Sequence, residues 1–247
     1  MTYKKRTLVI TLICVIIFVC GSFLTLDLYR FYISGTGIKS IDSTPIKKLI
    51  PLLCALIVLI IGKDGINKND TKKLILIYAL ICFADTALIF DMIIPGIGLF
   101  AVCQVLLIWR NGAGISKLLS GGELGKDRNA LIICAAVILA VIALIMSFIF
   151  YPILHGSPLF FAMLGYVVLL GASLWTSFAN YKLKLFPRRN SILVLTGMIL
   201  FFLGDFLVGL DLALKEGFYW LVVSSMVWII YTPSITLIAL SGYRYEP

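Results

Sequence analysis

The sequence has little charge and little that could hold a metal. Asp, Glu, Lys and Arg make up 13% of its 247 residues, against about 25% in a typical soluble domain. The single histidine, His155, argues against a zinc site. The six cysteines lie in apolar segments without a CxxC pair, so neither disulfides nor a metal centre is predicted, and no cofactor is expected.

Hydrophobic residues dominate instead, at 61% of the chain with a mean hydropathy of +1.07. This composition excludes an ordinary soluble domain. A helix needs roughly 20 apolar residues to cross a bilayer. Eight segments meet this requirement, at about 8–28, 45–62, 73–91, 94–110, 130–151, 158–181, 191–211 and 217–241. The sequence therefore predicts an all-α fold, a polytopic membrane bundle of eight transmembrane helices that forms one integral membrane domain over residues 1–247.

The basic residues indicate how such a bundle is oriented. With the N-terminus inside the cell, 16 of the 21 Lys and Arg residues fall on the cytoplasmic side and five on the other. The positive-inside rule then places both termini in the cytoplasm. Basic loops that face anionic lipid also account for the net charge of +9. Membrane lipids rather than nucleic acid are the expected partners, and the plasma or inner membrane is the expected location.

Two apolar segments carry the same pattern of acidic residues. Asp85 and Asp91 lie six positions apart in the third segment, and Asp205 and Asp211 have the same spacing in the seventh. Because these segments are four spans apart, both run through the membrane in the same direction. The pattern therefore favours a parallel 4+4 internal repeat.

The two halves of such a repeat would be residues 1–110 and 130–247, joined by a cytoplasmic loop at 111–129. This loop is rich in glycine, but it does not match a phosphate-binding loop. Too few residues separate its glycines, and Asp127 stands where that motif needs Ser or Thr. The sequence therefore predicts a connector rather than a nucleotide site.

The inner aspartate of each pair is the strongest candidate for a functional residue. Asp85 and Asp205 are expected roughly 18 to 24 Å from the cytoplasmic edge, at 1.5 Å per helical residue. Burying a carboxylate there costs at least about 2.5 to 3.5 kcal/mol, so such residues usually face an internal cavity. Two that converge could leave a protonated acid beside an ionised base. The alternative is that each only hydrogen-bonds a neighbouring helix. Asp91 and Asp211 are expected at the outer interface.

Other polar residues fall near the expected cavity. Lys47 and Lys48 begin the second helix on its outer side, where a lysine could hold a phosphate or a carboxylate, or extend to the membrane interface. Gln104 in the fourth helix is within reach of the third helix if the two pack as a hairpin. Tyr231 in the last helix is a further candidate for substrate binding.

Taken in order along the chain, six segments resemble the lysoplasmalogenase, or YhhN-like, family of eight-span membrane proteins. They are KKLIP at 47–51, FAD at 83–85, GIGLFAVCQVLLIW at 96–109, GYVVLLGASLW at 165–175, LGDFLVGLDLA at 203–213 and WIIYTPSITLIALS at 228–241. No single motif is specific, and the resemblance rests on the ordered set. The chain departs from the family pattern at Gln104, where a His is expected, and at Ala84, where a Gly is expected.

The resemblance implies hydrolysis of the vinyl ether bond of a lysoplasmalogen, which releases a fatty aldehyde and a glycerophospho-alcohol. Asp85 and Asp205 would be the catalytic acid and base, since two carboxyl groups suit this chemistry without a metal. Lys48, Gln104 and Tyr231 would bind the lysophospholipid substrate. Because Gln104 has no imidazole, the proton relay that the resemblance implies would lack the group that the family His supplies.

Two other functions are compatible with the same residues. A proton-coupled transporter also uses protonatable aspartates in a repeat that encloses a polar site, and a relative that binds lipid without cleaving it needs no proton relay. An intramembrane aspartyl protease is disfavoured, because Leu203 and a single glycine precede Asp205 where that class has Gly-x-Gly-Asp. The geometry of the site separates a hydrolase from a transporter, because a hydrolase needs a lipid-sized pocket closed on the cytoplasmic side.

The predicted topology can be tested with reporter domains fused to each end of the chain. A reporter that is active only in the cytoplasm is expected to be active at both ends, because the basic loops favour the cytoplasmic side. A terminus that is reached by a membrane-impermeant label from outside would contradict the assignment.

Overall fold

The computed structural model describes residues 2–33, 43–115, 118, 127–214 and 218–245. Most of the predicted connector at 111–129, with its glycine-rich part, lies outside these ranges. Within them the chain is helical, and extended pairing is limited to one isolated bridge between Gly65 and Tyr243.

The described residues form eight long helices, and each overlaps one of the eight segments predicted from hydropathy. They are α1 (Tyr3–Ile33), α2 (Leu49–Ile61), α3 (Lys68–Ile89), α4 (Ile93–Asn111), α5 (Asp127–Ile145), α6 (Pro158–Lys182), α7 (Arg188–Leu214) and α8 (Phe218–Leu240). A helical turn at Thr44–Lys47 precedes α2, and a wide turn at Met146–Phe150 continues α5. Seven of the eight are long and apolar enough to cross a membrane.

The remaining helix, α3, is as long as a transmembrane helix, but its most apolar stretch carries more charged residues than those of the other seven. Every stretch of 18 residues within its 22 residues contains Lys72, Lys73 and Asp85. These charged side chains lie in different environments. Lys73 lies over the ring of Trp109 at the helix end, with its Nζ 3.8 Å from the ring centroid, whereas Asp85 is buried among other helices. α3 packs against α2 and α4, so it is a full member of the bundle.

Six helices form a closed ring. The order of neighbours is α2, α3, α4, α6, α7, α8 and back to α2. Outside this ring, α1 packs on α2 and α8, and α5 packs on α6. This order places the third and seventh helices on opposite sides of one interior. The parallel repeat and the orientation in the membrane stay predictions.

The end of the bundle that holds the two termini contains a buried ion pair. The Nε of Arg110 donates to Asp70 at 2.7 Å, and a second guanidinium nitrogen donates to the other carboxylate oxygen at 3.1 Å. The remaining terminal nitrogen donates to the hydroxyl of Ser241 at 3.0 Å. Arg110 is only 1% exposed. A bidentate pair of this kind is geometrically specific, so it fixes α3, α4 and the end of α8 to each other.

A second polar cluster joins α4, α6 and α7 at the same end. Asn111 donates to the hydroxyl of Ser177 at 3.0 Å, Asn180 donates to the carbonyl of Asn111 at 3.0 Å, and Ser191 donates to Asn180 at 2.9 Å. All four side chains are buried. Together with the Arg110 pair, this cluster closes the ring at the terminal end.

Loss of the buried pair should destabilise the protein far more than loss of an exposed one. Arg110→Ala leaves the Asp70 carboxylate buried without its cation, and we expect a loss of about 3–5 kcal/mol, measured as the free energy of unfolding in detergent. Lys5→Ala is the matched control, because Lys5 pairs with Asp64 at 2.8 Å on the exposed surface, where ion pairs contribute little. Equal effects of the two substitutions would contradict the structural role of the buried pair.

Candidate active site

The ring of helices encloses a chamber of about 390 Å³ that opens toward the end opposite the termini. Asp85 from α3 and Asp205 from α7 both line it. The two acidic residues that were predicted from separate halves of the chain therefore share one internal space.

Each of the two carboxyl groups accepts a hydrogen bond from a tyrosine. The hydroxyl of Tyr231 on α8 donates to Asp85 Oδ2 at 2.9 Å, and the hydroxyl of Tyr166 on α6 donates to Asp205 Oδ2. Both tyrosines line the chamber. Because buried carboxyl groups are stable only with such partners, the tyrosines fix where the two acids point.

Small residues on α7 allow α8 to bring Tyr231 this close. A Cβ at Gly197 would lie 2.8 Å from Ile238 and 3.1 Å from the backbone oxygen of Ser234, so only glycine permits the contact between the two helices. The Ser234 hydroxyl donates to the Gly197 carbonyl at 2.9 Å. Close approach at small residues is a common way of packing membrane helices. The ring of Tyr231 is then held edge-on by Trp228, with centroids 5.6 Å apart.

The structure places Lys47, not Lys48, at the chamber. Lys47 is 6% exposed, lines the chamber and forms an ion pair with Asp27 at 2.8 Å. Lys48 lies outside the lining, with its Nζ 5.3 Å from the ring centroid of Phe90. Adjacent residues of a helix point about 100° apart, so only one of the two lysines can face inward. Lys47 rather than Lys48 therefore faces the chamber, and substrate binding by Lys48 stays a prediction.

Gln104 also differs from expectation. It is fully buried but does not line the chamber. Its amide lies near the Tyr166 hydroxyl, although neither amide atom meets hydrogen-bond geometry there. Gln104 is therefore behind the chamber wall, next to Tyr166, and substrate binding by Gln104 stays a prediction.

The outer aspartates line the mouth of the chamber, and their position at the outer interface stays a prediction. Asp211 is partly buried and lies beside Ser224 and Lys47. Asp91 also lines the mouth and has a φ of 55°, in the left-handed region, where α3 ends. The mouth is thus strongly polar, whereas the walls are apolar.

Two residues of the site were not predicted from the sequence. Tyr166 lies in an apolar segment and carries no local signal beyond its hydroxyl. Asp27 could have been found, since it is an acid in an apolar helix like Asp85. It accepts hydrogen bonds from Ser43 at 2.5 Å and Ser225 at 3.1 Å in addition to its pair with Lys47.

The fold and the chamber define a polytopic membrane protein with a site built from two carboxyl groups inside the bundle. The YhhN family model matches residues 43–242, so the chain belongs to the YhhN family, the family that includes lysoplasmalogenases. No curated protein and no solved structure matches the chain.

The two neighbouring lysines provide a direct test of the geometry at the mouth. Lys47→Ala leaves Asp27 buried without a cation, and we expect a loss of about 3–5 kcal/mol in the free energy of unfolding. Lys48→Ala is expected to have little effect, because Lys48 has no carboxylate partner among the described residues. Thermal unfolding in detergent checks both, and a larger effect at Lys48 would contradict the assignment.

Proposed function

We propose that this protein is an intramembrane hydrolase that cleaves the vinyl ether bond of lysoplasmalogens in the cell membrane. The observation that carries the proposal is the shared chamber of Asp85 and Asp205, each with a tyrosine partner. Membership of the YhhN family supports the same reaction class. The products are a fatty aldehyde and a glycerophospho-alcohol.

Two carboxyl groups are sufficient for this reaction. One, as the carboxylic acid, protonates the alkenyl carbon that is not bonded to oxygen, which gives an oxocarbenium ion. The other, as the carboxylate, takes a proton from water while the water oxygen bonds to the cationic carbon. The resulting hemiacetal gives its hydroxyl proton to the first carboxyl group, now a carboxylate, and breaks its bond to the glycerol oxygen, which takes a proton from the second carboxyl group. One water is consumed, and the two carboxyl groups end with the proton they began with.

The tyrosines serve this chemistry by orienting the acids. Tyr231 and Tyr166 each donate to one oxygen of their partner, which leaves the second oxygen of each carboxyl group for substrate or water. Pre-oriented groups in a site with little water act more strongly on a developing charge than they would in solution. Gln104, next to Tyr166, is a positioning residue in this scheme.

The shape of the chamber suits a lipid with one chain. Its walls are apolar, with Leu88, Ile97 and Val208 among them, and its mouth is polar. Lys47 has three ammonium hydrogens, one of which is directed to Asp27, so it can also contact a phosphate. A lysophospholipid would place its headgroup at the mouth and its ether bond between the two acids.

A transporter is less well supported. The protonatable pair favours it, but a carrier needs a route to the other side of the membrane, and the clusters around Arg110 and Asn111 close the terminal end. A relative that binds lysolipid without cleaving it is the more serious second candidate. It is favoured by one observation, the presence of Gln104 where the family pattern has an imidazole.

The acid pair is tested by Asp85→Asn and Asp205→Asn in purified protein supplied with an alkenyl lysophospholipid. Aldehyde release is expected to fall by about 10² to 10⁴-fold in each variant, the range for loss of a general acid or base. Asp127→Asn is the control, since Asp127 begins α5 and does not line the chamber. Unchanged release in both site variants would eliminate the mechanism, and a wild-type protein that binds the lipid but releases no aldehyde would favour the binding relative.

A further inference from the structure

A second cavity lies on the outer surface of the bundle, between α5 and α6. It is an open groove of about 640 Å³. Its lining is apolar apart from Ser147 and the hydroxyl of Tyr151, and it includes Leu139, Met146 and Phe160. From Leu139 to Tyr151 the groove follows about 18 Å of helix, at 1.5 Å per residue. Because α5 and α6 are long and apolar enough to cross a membrane, we expect this groove to face lipid.

Only a thin wall separates the groove from the chamber. On the chamber side the wall is Gly209 of α7 and Met163 of α6, both of which line the chamber. A Cβ at Gly209 would lie 2.4 Å from the Cζ of Phe150 and 3.1 Å from the Cε of Met163. Phe150 is 2% exposed, and its chain neighbour Tyr151 lines the groove. The ring of Phe150 therefore packs against the chamber wall from the part of the chain that also lines the groove.

Phe150, whose ring contacts Gly209, lies in an irregular turn of its helix. Met146–Phe150 forms a π-helical turn. Such turns are rare in proteins, but those that occur are often at functional sites. Pro152 in the next turn explains the π-helical turn, because proline has no N–H to donate and its ring collides with the carbonyl four residues earlier, here that of Phe148. The helix is therefore irregular at Phe150.

The chamber is small for a ligand with a long hydrocarbon chain. At about 390 Å³ it lies near the lower end of the roughly 300 to 1,000 Å³ of small-molecule sites. With the headgroup at the mouth and the ether bond between the two acids, the far end of a long chain needs apolar surface beyond the chamber. The groove between α5 and α6 offers such a surface.

We propose that the groove between α5 and α6 binds the hydrocarbon chain of the lysolipid substrate, and that Phe150 is the gate through which this chain passes between the groove and the chamber. This proposal rests on the proposed function for the identity of the ligand. Motion of the Phe150 ring away from Gly209 joins the two cavities, so the lipid can enter from the bilayer without leaving it.

The groove can be blocked without disturbing the core. Ser147→Trp places a large side chain in the groove from its lipid-facing side, whereas Leu144→Trp adds the same side chain to an exposed position of α5 that does not line the groove. A lysophospholipid with a photoreactive diazirine at the end of its chain serves as the probe. Labelling of the wild-type protein is expected to concentrate on residues 139–151 and to fall about tenfold in Ser147→Trp but not in Leu144→Trp, by analogy with the effect of a filled apolar pocket.

Hydrolysis provides the second measurement. With a long-chain alkenyl substrate, kcat/KM is expected to fall about tenfold in Ser147→Trp, while a short-chain substrate that fits within the chamber is cleaved as by the wild type. Even labelling of all lipid-facing helices, or unchanged labelling in Ser147→Trp, would overturn the proposal. Concentrated labelling without aldehyde release would contradict the proposed hydrolysis and leave the chain-binding groove in place.

Discussion

Carboxyl groups inside a bilayer need hydrogen-bond partners from the protein, because hydrocarbon offers none. Most of the interior of this bundle follows from that constraint. Asp85 and Asp205 are met by tyrosines from α8 and α6, Asp27 is met by Lys47 and two serines, and Asp70 is met by Arg110. These contacts connect helices far apart in the chain, so satisfying the acids also sets the arrangement of the bundle.

The constraint acts differently at the two ends. At the terminal end the polar side chains bond mainly to each other, with Arg110 using its Nε and both terminal nitrogens. Around Asp85 and Asp205 each tyrosine donates to one carboxyl oxygen, and a chamber remains beside them. The same physical requirement therefore produces a rigid closure at one end and a reactive space further along.

Much of this could be predicted from the sequence. Hydropathy located the helices, because long apolar runs have only one stable form in a bilayer. Asp85 and Asp205 were expected to face an internal cavity, and both line the chamber, while their depth in the membrane stays a prediction. α3 shows the limit of composition, since its flanking lysines and buried aspartate make it less apolar than the other spans.

Which side chains face the chamber depends on how each helix is rotated about its axis. A sequence without a periodic hydrophobic pattern does not reveal that rotation. The choice between Lys47 and Lys48 is a rotation of 100°, and Gln104 is turned toward Tyr166 rather than toward the chamber. Tyr166 was missed because a single tyrosine in a membrane helix commonly lies at the interface. Asp27 was missed although its composition signal was the same as that of Asp85.

The pair between Asp27 and Lys47 has a consequence for how this protein can vary. Asp27 lies on α1, before the segment 43–242 that matches the family, while Lys47 lies within it. The first helix thus supplies the counter-charge for a cation at the entrance to the site. Exchange of that helix for an unrelated anchor would strand the ammonium in a dry environment, so the two segments can only be replaced together.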